Sequence, residues 1–170
     1  SSHRRQRQMC IRDRSNIDAL LITPPSRLEV YQGLANDYAA IEPPVWSSLI
    51  ANYLIKNGYS AEVLDAEAEN LTHEQTAEKI AKKKPKLAVF MVYGQQPSAS
   101  TQCMPGGKKT CSKLNEISAN EIKSIVIGTH ASALPKKTLE EEPYTYVCQG
   151  EGPITAVSYT HLTLPTMRTV

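Results

Sequence analysis

The chain has 170 residues, 41% of them apolar, and a formal net charge of +2. That length suits one domain with a real core, and no apolar run approaches the roughly 18 residues of a membrane span. The basic excess is confined to the ends: without Arg4, Arg5, Arg7, Arg12, Arg14, Arg168 and Asp13, 13 of the 19 Lys and Arg and 16 of the 17 Asp and Glu remain, a balance of −3. A nucleic-acid surface loses its electrostatic basis with them.

Those ends are related to each other. Back-translated, Arg4 to Asp13 (RRQRQMCIRD) is the antisense of Val157 to Thr166 (VSYTHLTLPT), ten residues against ten. An inverted DNA repeat produces such a pair, and it resembles the read-through of a transposase-type library adaptor. Residues 1–14 and 156–170 are therefore expected to be non-native, which leaves 15–155 as a domain cut at both ends. Three cysteines remain in it, Cys103, Cys111 and Cys148. Their spacing fits neither a disulfide framework nor a zinc site, so a reducing, cytoplasmic setting is expected.

Ile17 to Thr23 reads as a first strand stopped by Pro24 and Pro25. No G-x-G-x-x-G follows it, which argues against a dinucleotide. A long loop from Ser26 to Glu42 leads to Pro43-Pro44, which opens a helix on which Val45, Trp46, Leu49, Ile50, Tyr53 and Leu54 recur at helical spacing. Asn57-Gly58 ends it. Ala61 to Leu64 is a second strand finishing in Asp65, placed where an acidic residue can bind a ribose hydroxyl but, without a glycine loop, read rather as a loop or cap residue. Thr72-His73-Glu74-Gln75 has the form of a capping box, and the helix it starts closes on Lys82 to Lys84 before Pro85. Leu87 to Val92 is apolar without alternation, as a central parallel strand is.

A polar loop, Tyr93 to Thr101, leaves that strand. Pro105-Gly106-Gly107-Lys108-Lys109 lacks the spacing and ending of a phosphate loop and reads as a flexible turn, with a helix from about Cys111 to Ile122 after it. The stretch Lys123 to Pro135, KSIVIGTHASALP, reads as a buried strand entering a glycine turn and a polar hairpin of hydroxyls and one histidine. Tyr144 to Cys148 is the last strand, ending in Gln149-Gly150-Glu151-Gly152-Pro153. The alternation predicts an α/β fold: a doubly wound parallel sheet, Rossmann-like or flavodoxin-like, of about five strands with the last helix missing. In such sheets ligands lie outside the carboxyl ends of the strands.

LLITPP, PPVWSSLIANYLIKNGYSAEVLDAE, IVIGTHASALP and CQGEG, in this order and spacing, resemble the N-terminal cobalamin-binding domain of cobalamin-dependent radical S-adenosylmethionine enzymes. The resemblance covers Ile17 to Thr155. It implies a corrin ring across the carboxyl edge of the sheet and a nucleotide tail beside the strands. On that likeness the cofactor-binding residues are Thr23, Pro24, Tyr93, Gly94, Gln95, Ser98, Gly128, Thr129, His130, Ser132, Gly150, Glu151 and Gly152, with Gln95 and Ser98 meeting the arms of the ring. The D-x-H-x-x-G motif of other cobalamin proteins is absent after the first strand, so no metal ligand is assigned. His130 either touches cobalt or holds its turn by hydrogen bonding.

The family's C-x-x-x-C-x-x-C motif is absent as well. The resemblance thus implies a non-catalytic, cofactor-holding fragment. Its parent would carry a 4Fe-4S cluster and S-adenosylmethionine in a barrel domain of the same chain and perform methyl transfer; neither nucleic acid nor membrane is an expected partner. Two other classes fit the same sheet: the nucleotide-sugar-binding half of a glycosyltransferase, with Glu151 on the sugar, and a flavodoxin-like or receiver-like regulatory domain. Pro24-Pro25 and Tyr93-Gly94 stand where a receiver needs its acidic residues.

Overall fold

The computed structural model describes residues 17–93, 99–150 and 152–161. Five strands, β1 (Ala19–Thr23), β2 (Ala61–Asp65), β3 (Leu87–Met91), β4 (Lys123–Ile127) and β5 (Tyr146–Val147), form one sheet in the order β2-β1-β3-β4-β5. Every neighbouring pair is parallel. The helices are α1 (Arg27–Tyr31), α2 (Ala35–Tyr38), α3 (Val45–Lys56), α4 (His73–Lys83), α5 (Ser100–Ser118), α6 (Thr129–Ala133), α7 (Pro135–Glu141) and α8 (Gly152–His161), with a 3-10 turn at Gln32–Leu34. This is the expected doubly wound α/β fold.

Alternation along the strands builds a core on each face. Leu20, Ile22, Ala88, Phe90 and Val126 point toward α4 and α5, while Ala19, Leu21, Val89, Met91, Ile125 and Ile127 point toward α3 and α8. Because both faces are covered, β3 is apolar throughout and β1 is apolar up to Thr23, and each fully buried Leu, Ile or Phe adds about 1.5–3 kcal/mol of hydrophobic stabilisation. The edge strand β2 differs, with Glu62 and Val63 exposed. At the amino end of the strands Asp18 accepts from Ser60 N–H (2.8 Å) and pairs with Lys86 (2.7 Å), joining the starts of β1, β2 and β3.

The capping box at Thr72 forms as expected: its hydroxyl accepts from Gln75 N–H (3.2 Å) and the Gln75 side chain accepts from Thr72 N–H (3.0 Å). Asp65 caps a turn, accepting from Ala68 N–H at 3.2 Å.

Several local expectations are corrected. Pro105 to Lys109 is no turn; it lies inside the nineteen-residue α5, which starts at Ser100 and ends at Ser118. Tertiary packing overrides the propensities of Pro and Gly there. A Cβ on Gly106 would stand 2.5 Å from the Pro25 carbonyl and one on Gly107 2.5 Å from the Tyr144 hydroxyl, so the glycines let neighbouring chain meet the helix. The polar hairpin after Gly128 is instead α6, with α7 opening on Pro135.

The last strand pairs only at Tyr146 and Val147. The loop from Ser26 to Glu42 holds α1, the 3-10 turn and α2. On α3 the inward residues are Ser47, Ile50, Ala51 and Leu54, while Val45, Trp46, Leu49 and Tyr53 are exposed. A final helix, α8, also stands where the sheet was expected to lack one: Ala156 is fully buried and the Tyr159 ring lies 4.6 Å from that of Tyr146. Val157 packs against the same core, and Gly152 lies against Ile127 and Ile50.

Candidate functional site

Strand order reverses between β1 and β3, and the crevice at that point is where the crossovers diverge to opposite faces. A cleft of about 290 Å³ opens there. Thr23 from the end of β1, Met91 from the end of β3 and Tyr93, two residues beyond it, line it. Its walls come from α1, the loop before α3, the first turn of α3 and the start of α5. Trp46 stacks on Tyr93, with centroids 5.7 Å apart and planes 23° from parallel, yet remains 58% exposed. Such a pair presents an extended aromatic ledge. Burial, with Cys148 close by, pushes the Tyr93 phenol up, so it is neutral near pH 7. Thr23 Oγ1 and Ser47 Oγ lie 3.4 Å apart beneath it.

A five-residue helix is too short to be stable alone, so α1 is fixed by side chains. Glu67, beyond β2, accepts from the N–H groups of Ser26 and Arg27, the latter at 2.6 Å. Glu29 is met from the other side by His73 Nε2 (3.1 Å) and Lys109. Cys103 of α5 lines the same wall. Burial pushes its thiol up, a bond from Ser26 offsets part of that, and the Glu67 charge adds to it, so no thiolate faces the cleft near neutral pH.

The β4 side of the rim is built differently. Ser100 Oγ donates to the Val92 carbonyl (2.6 Å) and accepts from His130 N–H (3.2 Å). A Cβ on Gly128 would lie 2.3 Å from the Val92 carbonyl and 3.0 Å from Ser100 Oγ, so only glycine fits where β3 and β4 end side by side. His130 Nδ1 shares a hydrogen bond with Thr101 Oγ1 at 2.9 Å, and Ser132 Oγ accepts from Gly150 N–H at 2.9 Å.

The sequence-derived residues thus fall into two groups. Thr23 and Tyr93 line the cleft; Gly128, Thr129, His130, Ser132 and Gly150 lie along the β4–β5 rim. Pro24 is buried behind the end of β1. Gly152 is buried too, where a Cβ would stand 3.2 Å from both Ile127 and Ile50. Gly94, Gln95, Ser98 and Glu151 lie outside the described residues.

Sequence reasoning passed over Ser26, Arg27, Ser47, Trp46, Cys103 and Glu67, all of which line the cleft. One signal was available for Trp46. It is the single tryptophan and directly follows the Pro-Pro-Val opening of α3. No group of three or more His, Cys, Asp or Glu among the described residues could hold a metal ion, and no described helix is long and apolar enough to cross a membrane.

A parallel sheet with an aromatic cleft at its switch point and a ledge of small residues beside it defines a cofactor-binding α/β module. A family model narrows the class. The B12 binding domain matches residues 31–159, and the chain belongs to that family, whose function is to bind cobalamin. Among solved structures the fold is similar to that of the radical S-adenosylmethionine methyltransferase TsrM from Kitasatospora setae, determined with tryptophan substrate and a SAM analog bound. The TM-score is 0.65 and the identity 16%, over 84% of this chain and 25% of that one. The chain therefore spans about a quarter of the length of that enzyme. No curated protein matches the sequence.

Proposed function

We propose that this domain is the cobalamin-holding module of a longer, cytoplasmic radical S-adenosylmethionine enzyme that transfers methyl groups. The single observation that carries the reading is the match to the B12 binding domain over residues 31–159; the fold shared with TsrM supports the choice of parent. In the parent a barrel domain of the same polypeptide would hold a 4Fe-4S cluster and S-adenosylmethionine. The ends at 1–14 and 156–170 are read as adaptor-derived, on the antisense relation between them.

The residues present fit the cofactor. A corrin is broad, flat and fringed with amides, so it needs a ledge of backbone and small side chains with few fixed charges. Gly128, Thr129, His130, Ser132 and Gly150 supply such a ledge, and the family likeness adds Gly94, Gln95, Ser98 and Glu151 as cofactor contacts. Thr23, Pro24 and Tyr93 bound it at the end of β1 and β3, and Gly152 closes the far side. When bound, cobalamin supplies a carrier for a one-carbon group. The chain's own part is to bind and orient: Trp46 and Tyr93 cover one side of the cleft, and the Ser100 and Ser132 bonds keep the ledge from moving.

The test is retention. The purified chain is mixed with hydroxocobalamin, freed of excess by gel filtration, and its visible spectrum recorded. About one corrin per chain supports the reading. A folded but colourless protein overturns it.

A further inference from the structure

The cleft holds one polar group whose bonding is incomplete. Arg27, the first residue of α1, is the only Lys or Arg lining the cleft among the described residues. Its side chain is 17% exposed, and its Nε is buried with no hydrogen-bond partner among the described residues. The nearest carboxylate oxygen, Glu67 Oε2, stands 3.7 Å away, beyond hydrogen-bond reach. Nη1 has only a long contact to the Ala35 carbonyl, 3.4 Å.

Glu67 faces the guanidinium as an ion pair at 3.7 Å and not as a hydrogen bond, its Oε1 accepting instead from the N–H groups of Ser26 and Arg27. Glu42 lines the cleft too, but from an exposed position. A guanidinium presents its donors in a planar fork that matches two oxygens of a carboxylate or phosphate. Leaving such a group buried with an empty donor costs free energy unless a ligand fills it.

We propose that Arg27 is a specificity-determining residue of this cleft and that it takes the phosphodiester of the corrinoid's nucleotide tail. The assignment rests on the cobalamin reading given above and deepens it. The surroundings suit the tail as well as its phosphate: Trp46 and Tyr93 supply a flat stacking surface for its base, and Thr23, Ser26 and Ser47 place hydroxyls along the same cleft for its ribose.

The experiment compares hydroxocobalamin with aquocobinamide, which has the same ring but neither phosphodiester nor base, in spectroscopic titrations of the 170-residue chain and its Arg27→Gln and Arg27→Lys variants. Arg27→Gln is expected to weaken hydroxocobalamin by about tenfold or more, the worth of one charge-assisted hydrogen bond, and to leave aquocobinamide within about twofold. Arg27→Lys, which keeps the charge without the fork, should fall between wild type and Arg27→Gln for hydroxocobalamin alone.

Equal weakening of both corrinoids, or of neither, overturns the assignment while the cobalamin reading stands. Equal weakening would mean that Arg27 only props the α1 wall. A wild-type chain that binds neither corrinoid overturns both. Far-ultraviolet circular dichroism and a thermal melt establish that each variant is folded; if Arg27→Gln is not, Arg27→Lys carries the comparison between the two corrinoids.

Discussion

The two halves of the carboxyl rim are made of similar residues and handled in opposite ways. Along β4 and β5, Ser100, Thr101, His130, Ser132 and Gly150 bond to one another or to the Val92 carbonyl. At the β1–β3 switch point an arginine keeps an empty donor and an aromatic pair stays half in water. Polar groups that satisfy each other make a rigid ledge; polar groups left unsatisfied in a cleft await a ligand. On the proposed cobalamin reading, the first half gives the site its shape and the second gives it recognition.

The largest effect should come from breaking the ledge at its tightest point. Gly128→Ala places a methyl group 2.3 Å from the Val92 carbonyl, where backbone rather than a flexible side chain must move. A loss of about 3 kcal/mol is expected in urea unfolding, and a midpoint unchanged from wild type would show that the ends of β3 and β4 are not held together there.

Ser100→Ala tests the same ledge more gently. It strips a hydrogen-bond donor from the Val92 carbonyl and an acceptor from His130 N–H, for about 2 kcal/mol. Hydrogen exchange at His130 should rise in this variant and not at Leu21, which lies in the inner strand β1.

The open half predicts the reverse pattern. Trp46→Ala should lower stability by only about 1 kcal/mol, since the ring is half exposed and its main contact is the stack on Tyr93. Its effect on hydroxocobalamin affinity should be about tenfold. If stability falls sharply and affinity does not, the ledge and the cleft have been assigned the wrong way round.

The smallest effect lies at the far, amino end of the strands. Burial pushes the Asp18 carboxyl up, but bonds from Lys86 and Ser60 outweigh that and hold it below the usual aspartate range. A carboxyl lowered in the folded state adds stability above its unfolded value and loses it as pH falls through the folded one. Asp18→Asn should therefore cost less than about 1 kcal/mol near pH 7, and the gap to wild type should narrow as pH falls through and below the ordinary carboxylate range. Urea midpoints at pH 7, 4 and 3 measure it, and corrinoid affinity at pH 7 should not change.

Much of the fold was legible because periodicity and punctuation act locally. Leu87 to Met91 could be nothing but a strand covered on both faces, and Thr72 with Gln75 can cap a helix without outside help. The site was legible in part. Gly128, Thr129 and His130 announce a strand end by a glycine after an apolar run, and they do lie on the rim. Arg27 and Glu67, separated by 40 residues and a whole βαβ crossover, carry no signal that would pair them. Trp46 was legible only as one of the apolar residues recurring along a helix, because helical spacing says which residues share a face but not which face meets the sheet.

Sequence alone therefore determined the alternating α/β order, the strands buried on both faces and the capping box, since each depends on residues within a few positions of one another. Tertiary structure decided the rest. It carried α5 straight through Pro105, Gly106 and Gly107, because the contacts made across those glycines, with Pro25 and Tyr144, outweigh their helix-breaking preference. It seated α8 on the sheet through Ala156 and Tyr159. It also brought Arg27 beside Trp46 and Tyr93 and left one donor empty, because burial and the distance between remote residues arise only when the sheet assembles.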